Sequence, residues 1–298
     1  MQKDLAPGES RKQRSILFVC FVCGGLLIFL FGANTFSLFP TNKNPIYEWG
    51  LTLVLLALAA ILHRSAALSK YWKVAYALFV ASFANALNLF LGNWLGDTLP
   101  AGVSTAQFLA VDKLSQAIPI VLSIILLTLL AGDGLGSIFL KRGNLRQGLT
   151  FGLISFGVFT GLFVVIAILQ AGDPASQGLW ASGISLDLLI AAIPWILVFC
   201  FANAILEELW FRGLFLGKLA PLLGSAASVV ATALVFGLTH MAATYISPGQ
   251  MIMFAVIVIT LGMVNGWVML KTDSIWGSVL FHAGYDLLVI IPVLASEV

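Results

Sequence analysis

The residues of this chain that could do chemistry are few and grouped. The stretch Asn203-Ala204-Ile205-Leu206-Glu207-Glu208-Leu209-Trp210-Phe211-Arg212 sets two adjacent carboxylates and a guanidinium into an apolar run, in a sequence with only 9% charged residues. Each ionisable group at membrane depth costs about 2.5–3.5 kcal/mol on insertion scales, so three together require a role. Helical spacing sorts them. Glu208 and Arg212 are four apart on one face, acid before base, which is the favourable order for an ion pair. Glu207 lies about 100° round the helix and shares its face with Asn203 and Phe211. One glutamate is thus paired and the other free to act. A structural ion cluster locking two helices is the competing account.

Two later stretches favour chemistry. The chain has three histidines, and two lie in apolar segments downstream of the glutamates. His240 ends Phe236-Gly237-Leu238-Thr239-His240, and His282 opens His282-Ala283-Gly284-Tyr285-Asp286. Two intramembrane histidines, an unpaired glutamate and an aspartate on three helices are a general acid–base set suited to activating water.

The order EExxxR, FxxxH, HxxxD resembles the CPBP intramembrane proteases, which include the type 2 CAAX prenyl endopeptidases and lysostaphin resistance protein A-like members. The matching residues are Glu207, Glu208 and Arg212, then Phe236 and His240, then His282 and Asp286. The resemblance covers roughly residues 145–295, and the first 145 carry no recognised motif. It implies an endopeptidase acting on membrane-associated or lipidated peptide substrates. Glu207 with His240 would activate the water, and His282 with Asp286 would steady the oxyanion. Glu208–Arg212 is expected to be a structural ion pair, with Asn203 and Phe236 as cavity wall. Many family members carry Asn where this chain has Asp286. An ionised Asp is acceptor-only and cannot donate to an oxyanion, so either apolar surroundings keep Asp286 protonated or it serves otherwise, and its i,i+4 spacing to His282 favours orienting the ring.

The same residue types could instead hold zinc, with His240, His282 and Asp286 as the alternative ligands. The HExxH helix of many zinc peptidases is absent, since Met241-Ala242-Ala243-Thr244 follows His240. No cofactor is therefore expected, zinc being the alternative. Outside catalysis, the competing accounts are an immunity or scaffold protein and a proton-coupled transporter.

These groups need apolar helices to position them. A chain of 298 residues that is 60% hydrophobic, with mean hydropathy +1.03, is a polytopic all-α membrane protein. About nine transmembrane helices are expected, eight being the alternative count. Their approximate bounds are 16–33, 50–68, 72–94, 114–131, 149–169, 184–218, 225–244, 250–270 and 275–294, with a turn over 40–45 and a kink at Pro194. Thirteen Lys and Arg fall on one side, Arg212 and Lys218 among them, against Lys43 and Lys113 on the other. The N-terminus is therefore expected in the cytoplasm. Residues 1–145 form an N-terminal four-helix region of unassigned role and 146–298 the protease-like membrane domain. A multi-pass protein of a bacterial plasma membrane is expected, with lipid and peptide partners. The net charge of +2, without a basic run, gives no sign of a nucleic-acid partner. Cys20, Cys23 and Cys200 need no role beyond packing. Nothing in the sequence fixes an oligomeric state.

Overall fold

The computed structural model describes residues 10–32, 45–171, 186–241 and 248–295, and every regular element among them is helical. Lys3, Lys43 and residues 40–44 of the expected turn lie outside the described residues. Helix α1 (Arg11–Leu26) runs on as a π-helical turn over Leu27–Phe31, and α2 (Pro45–Arg64), α3 (Trp72–Leu91) and α4 (Thr105–Leu130) follow. The second half holds α5 (Leu145–Ala171), α6 (Leu186–Glu207), α7 (Leu214–Leu223), α8 (Ser225–His240), α9 (Pro248–Thr272) and α10 (Trp276–Ala295). Each expected span meets a helical run. By length and apolarity, six stretches among the described residues can cross a membrane, and α8 is a shorter apolar helix.

Local chemistry sets the helix starts. Ser10 and Gln13 form a capping box, the Ser10 hydroxyl accepting from the Gln13 N–H at 3.2 Å and the Gln13 carbonyl from the Ser10 N–H at 2.9 Å. Ser104 caps α4 in the same way through the Gln107 N–H. The irregularity that matters lies beyond the expected kink. Helix α6 continues through Pro194 and widens into a π-helical segment over Glu208–Gly213 before α7 begins. Such π-bulges are rare and recur at functional sites.

Antiparallel packing gathers one set of chain ends at a single face. There the Lys73 ammonium meets Asp133 at 2.6 Å, the Asn144 N–H donates to the Thr272 carbonyl at 2.6 Å, and the Ile275 N–H donates to the Phe139 carbonyl at 3.1 Å. Lys70, Lys73, Lys141 and Lys218 border one recess of this face. Arg212 does not belong with them: it is fully buried inside the bundle, drawn there by its carboxylate partner.

The two halves interlock. Helix α1 packs on α8 and α3 on α7, with the Phe21 ring edge-on to Phe215 at 5.0 Å and the Trp210 indole donating to the Ala81 carbonyl at 3.2 Å. Helices α8 and α9 approach closely because both present small residues. A Cβ on Gly237 would overlap the Ile259 side chain and press within 3.1 Å of the Ala255 carbonyl. By contrast, a Cβ on Gly157 of α5 would meet nothing within 4 Å.

This contrast gives a stability test. Gly237→Val should destabilise the protein by about 1–3 kcal/mol, the usual range for overpacking. Gly157→Ala should leave it unchanged or raise it by about 0.4–1 kcal/mol by stiffening the unfolded chain. Thermal melts of the two variants and the parent in one detergent measure the difference.

Candidate active site

The glutamates sit where α6 turns into the π-helical segment, His240 ends α8, and His282 and Asp286 lie on consecutive turns of α10. The fold brings all of them together. Glu207 lies between two imidazoles, its Oε1 3.5 Å from His240 Nε2 and its Oε2 3.4 Å from His282 Nε2. Both separations exceed an ideal charge-assisted hydrogen bond of about 2.7–2.9 Å.

Glu208 is the structural partner that helical spacing indicated, and more. Its Oε1 accepts from Arg212 Nη1 at 2.9 Å, from Asn265 Nδ2 at 2.9 Å and from His282 Nδ1 at 2.7 Å. Glu208, Arg212 and Asn265 are all fully buried. Arg212 also lays its guanidinium over the Phe236 ring, 3.8 Å from the centroid, a cation–π contact strengthened by the absence of water.

Those contacts set a second carboxylate on the ring besides Asp286. A carboxylate can only accept, so His282 Nδ1 carries its proton toward Glu208, while Asp286 stands at the opposite ring nitrogen. His282 Nε2 then faces both Glu207 and Asp286, the latter at 3.5 Å. Both ring nitrogens thus address carboxylates. The other Asp286 oxygen accepts from Asn203 Nδ2 at 3.0 Å.

His240 is held differently. Its Nδ1 is 2.7 Å from the Phe236 carbonyl, which can only accept, so Nδ1 carries hydrogen and Nε2 is turned to Glu207. His240 and Glu207 border a cavity of about 350 Å³. Two expected wall residues do not line it. Asn203 is occupied with Asp286, and Phe236 is buried beneath the Arg212 guanidinium. The apolar wall comes from Phe29, Leu89, Ile120 and Phe211 instead.

The polar wall carries residues that motif reasoning passes over. Asn85 and Asn88 of α3, with Lys113 and Gln116 of α4, line the same cavity, and Asn88 Oδ1 is buried without a hydrogen-bond partner. All four lie in the half without a motif. Their signal in the sequence is two i,i+3 pairs of polar residues within or beside apolar spans. Asn265, set in the apolar run of α9, is legible by the same rule.

As to metal, no group of three His, Cys, Asp or Glu among the described residues is arranged to hold an ion. His240 and His282 face Glu207, and His282 also faces Asp286, at the distances above.

Residues 189–288 match the family described as Rce1-like, type II CAAX prenyl endopeptidase. The matched stretch holds all three motifs, so it agrees with the family that the motifs resemble. No curated protein and no solved structure shows significant similarity to the chain.

Removing either member of the buried pair should be severe. Glu208→Gln and Arg212→Met should each cost about 3–5 kcal/mol, the usual penalty for stranding a buried charge. The double substitution should cost less than the sum of the two. Melting curves of all four proteins in detergent give the coupling energy.

Proposed function

We propose that this protein is an intramembrane endopeptidase that hydrolyses peptide bonds of membrane-associated or lipidated substrates, using water activated by Glu207 with His240. The observation that carries this reading is the placement of the Glu207 carboxylate, between two imidazoles and at the wall of a cavity. The family match over the same residues supports it.

The chemistry follows from donor and acceptor roles. With His240 Nδ1 donating to a backbone carbonyl, Nε2 of the neutral ring is an acceptor, as is the Glu207 carboxylate. A water on the cavity side of this pair can give a hydrogen bond to the Glu207 carboxylate or to His240 Nε2, leaving its oxygen lone pairs for the scissile carbonyl. Attack transfers one water proton to Glu207 and forms a tetrahedral oxyanion. Collapse of that intermediate returns the proton to the leaving amine, so the peptide C–N bond breaks and the base is restored. His282, braced by Glu208, fixes the second Glu207 oxygen. The Asn88 carboxamide and the Lys113 ammonium are the donors that the cavity offers a developing oxyanion, since the Asn85 amide already donates to Glu48 Oε2 at 3.2 Å and to the Ile28 carbonyl. The apolar walls suit a substrate carrying hydrophobic or lipid-modified residues.

The topology belongs to the same proposal. Nine crossings with a cytoplasmic N-terminus put twelve of the thirteen basic residues inside, Arg212 being held within the bundle by Glu208. Lys113 and the end of α8 then face outward, and the cavity takes substrate from the outer side or the bilayer of a bacterial plasma membrane. In this scheme residues 146–298 carry the catalytic groups, and residues 1–145 complete the cavity.

Glu207→Gln should lower peptide cleavage by about 10²–10⁴-fold, as loss of a general base does, with an unchanged melting temperature. A quenched-fluorescence peptide library on purified protein measures it, and near-parental cleavage would refute the assignment. Activity should also survive a membrane-permeant chelator. Loss on chelation with recovery on adding zinc would transfer the site to the zinc alternative.

A further inference from the structure

A second polar recess lies on the lysine-rich face, far from Glu207 along the bundle. It encloses about 290 Å³ among the ends of α3, α4, α7 and α9. Four lysines border it, Lys70, Lys73, Lys141 and Lys218, against two aspartates, Asp133 and Asp273. The balance is cationic, and most of these residues lie outside the stretch that matches the protease family.

Two of the lysines pair with the two aspartates. Lys73 pairs with Asp133 at 2.6 Å and Lys141 with Asp273 at 2.5 Å, and all of these side chains except Asp133 keep much of their exposure. Such pairs are screened and exchange readily with water or other anions. Deeper in the recess, Lys218 Nζ is shielded from solvent and has no hydrogen-bond partner. Ser137 Oγ, on the 3₁₀ turn Leu135–Ile138, is likewise shielded and unpartnered. A buried ammonium and a buried hydroxyl, both without a protein acceptor in hydrogen-bond range and both lining one lysine-rich recess, suit an acceptor-rich anion.

We propose that this recess is a phosphate-binding site, with Lys218 and Ser137 as its inner donors and Lys70, Lys73 and Lys141 at its rim. A phosphate group supplies several strong acceptor oxygens and at least one negative charge, which matches the two inner donors, one of them an ammonium. Glycine keeps the inner wall close: a Cβ on Gly217 would come within 2.9 Å of the Ser137 carbonyl. The position of the recess, at the ends of apolar helices, fits the phosphate of an anionic lipid headgroup. Free inorganic phosphate offers the same oxygens.

The test is binding to the purified, delipidated full-length protein in detergent. Short-chain phosphatidylglycerol, short-chain phosphatidylcholine and inorganic phosphate are each titrated and read by thermal shift and native mass spectrometry. Phosphatidylglycerol should raise the melting temperature saturably and phosphatidylcholine should not. Lys218→Met should weaken the response by about 10–100-fold, the loss of one charge-assisted hydrogen bond. Ser137→Ala should weaken it less, and it provides an independent readout if Lys218→Met does not fold. A shift produced by inorganic phosphate alone, and lost in these variants, keeps the site and assigns it to the free anion. No saturable response to either source, or an equal response in parent and variants, overturns the proposal. None of these readouts depends on peptidase activity.

Discussion

One carboxylate oxygen organises this protein. Glu208 Oε1 receives a guanidinium, a carboxamide and an imidazole from three different elements, all away from water. A buried carboxylate is tolerable only when its lost hydration is replaced, and three donors on one oxygen do that. The same contacts fix the π-helical segment, α9 and α10 in mutual register. Because two of the three donors, Asn265 and His282, come from distant parts of the chain, the oxygen is satisfied only once the bundle has assembled.

The neighbouring glutamate inherits its position from that arrangement. With Glu208 turned inward, Glu207 points toward His240 and the cavity, where its side chain keeps 13% exposure. Holding the His282 ring by Nδ1 leaves Nε2 directed at Glu207. The aromatic packing of Phe29 against Trp210 and Phe211, at centroid distances of 4.9 and 4.3 Å, ties α1 to the same segment. A polar centre inside a lipid-facing bundle is therefore braced on all sides by apolar contact, as polar groups without access to water must be.

The site is legible in the sequence where chemistry is costly. Charged and imidazole groups in apolar spans stand out against 60% hydrophobic residues, and i,i+4 spacing by itself pairs Glu208 with Arg212. The same reasoning cannot see that Glu208 also holds His282 and Asn265, because long-range contacts leave no periodic trace. Nor does it give Asn203 to Asp286. Neutral carboxamides such as Asn85 and Asn88 are a weaker signal than charges, since their cost in an apolar span is smaller. The helices are legible from apolar runs, but a π-bulge replaces one hydrogen-bond register by another without changing composition, and Pro194 draws attention elsewhere. The recess at Lys218 is hidden for a related reason: positive charge near helix ends is what topology alone predicts.

Asp rather than Asn at position 286 has a hydrogen-bonding rationale in this environment. Two nitrogens approach it, Asn203 Nδ2 at 3.0 Å and His282 Nε2 at 3.5 Å. The Asn203 amide is a donor, so the oxygen it meets must accept. If the facing His282 nitrogen carries no hydrogen, an Asn at 286 could serve both neighbours, accepting from one and donating to the other. An Asp offers acceptors on both sides and so matches a ring that holds protons on both nitrogens. Such a ring, with Glu208 on one side and Glu207 and Asp286 on the other, balances charge that Arg212 alone leaves uncompensated among three carboxylates. Asp at this position therefore adds an anion and calls for a proton in the same place, which keeps the buried cluster near neutrality.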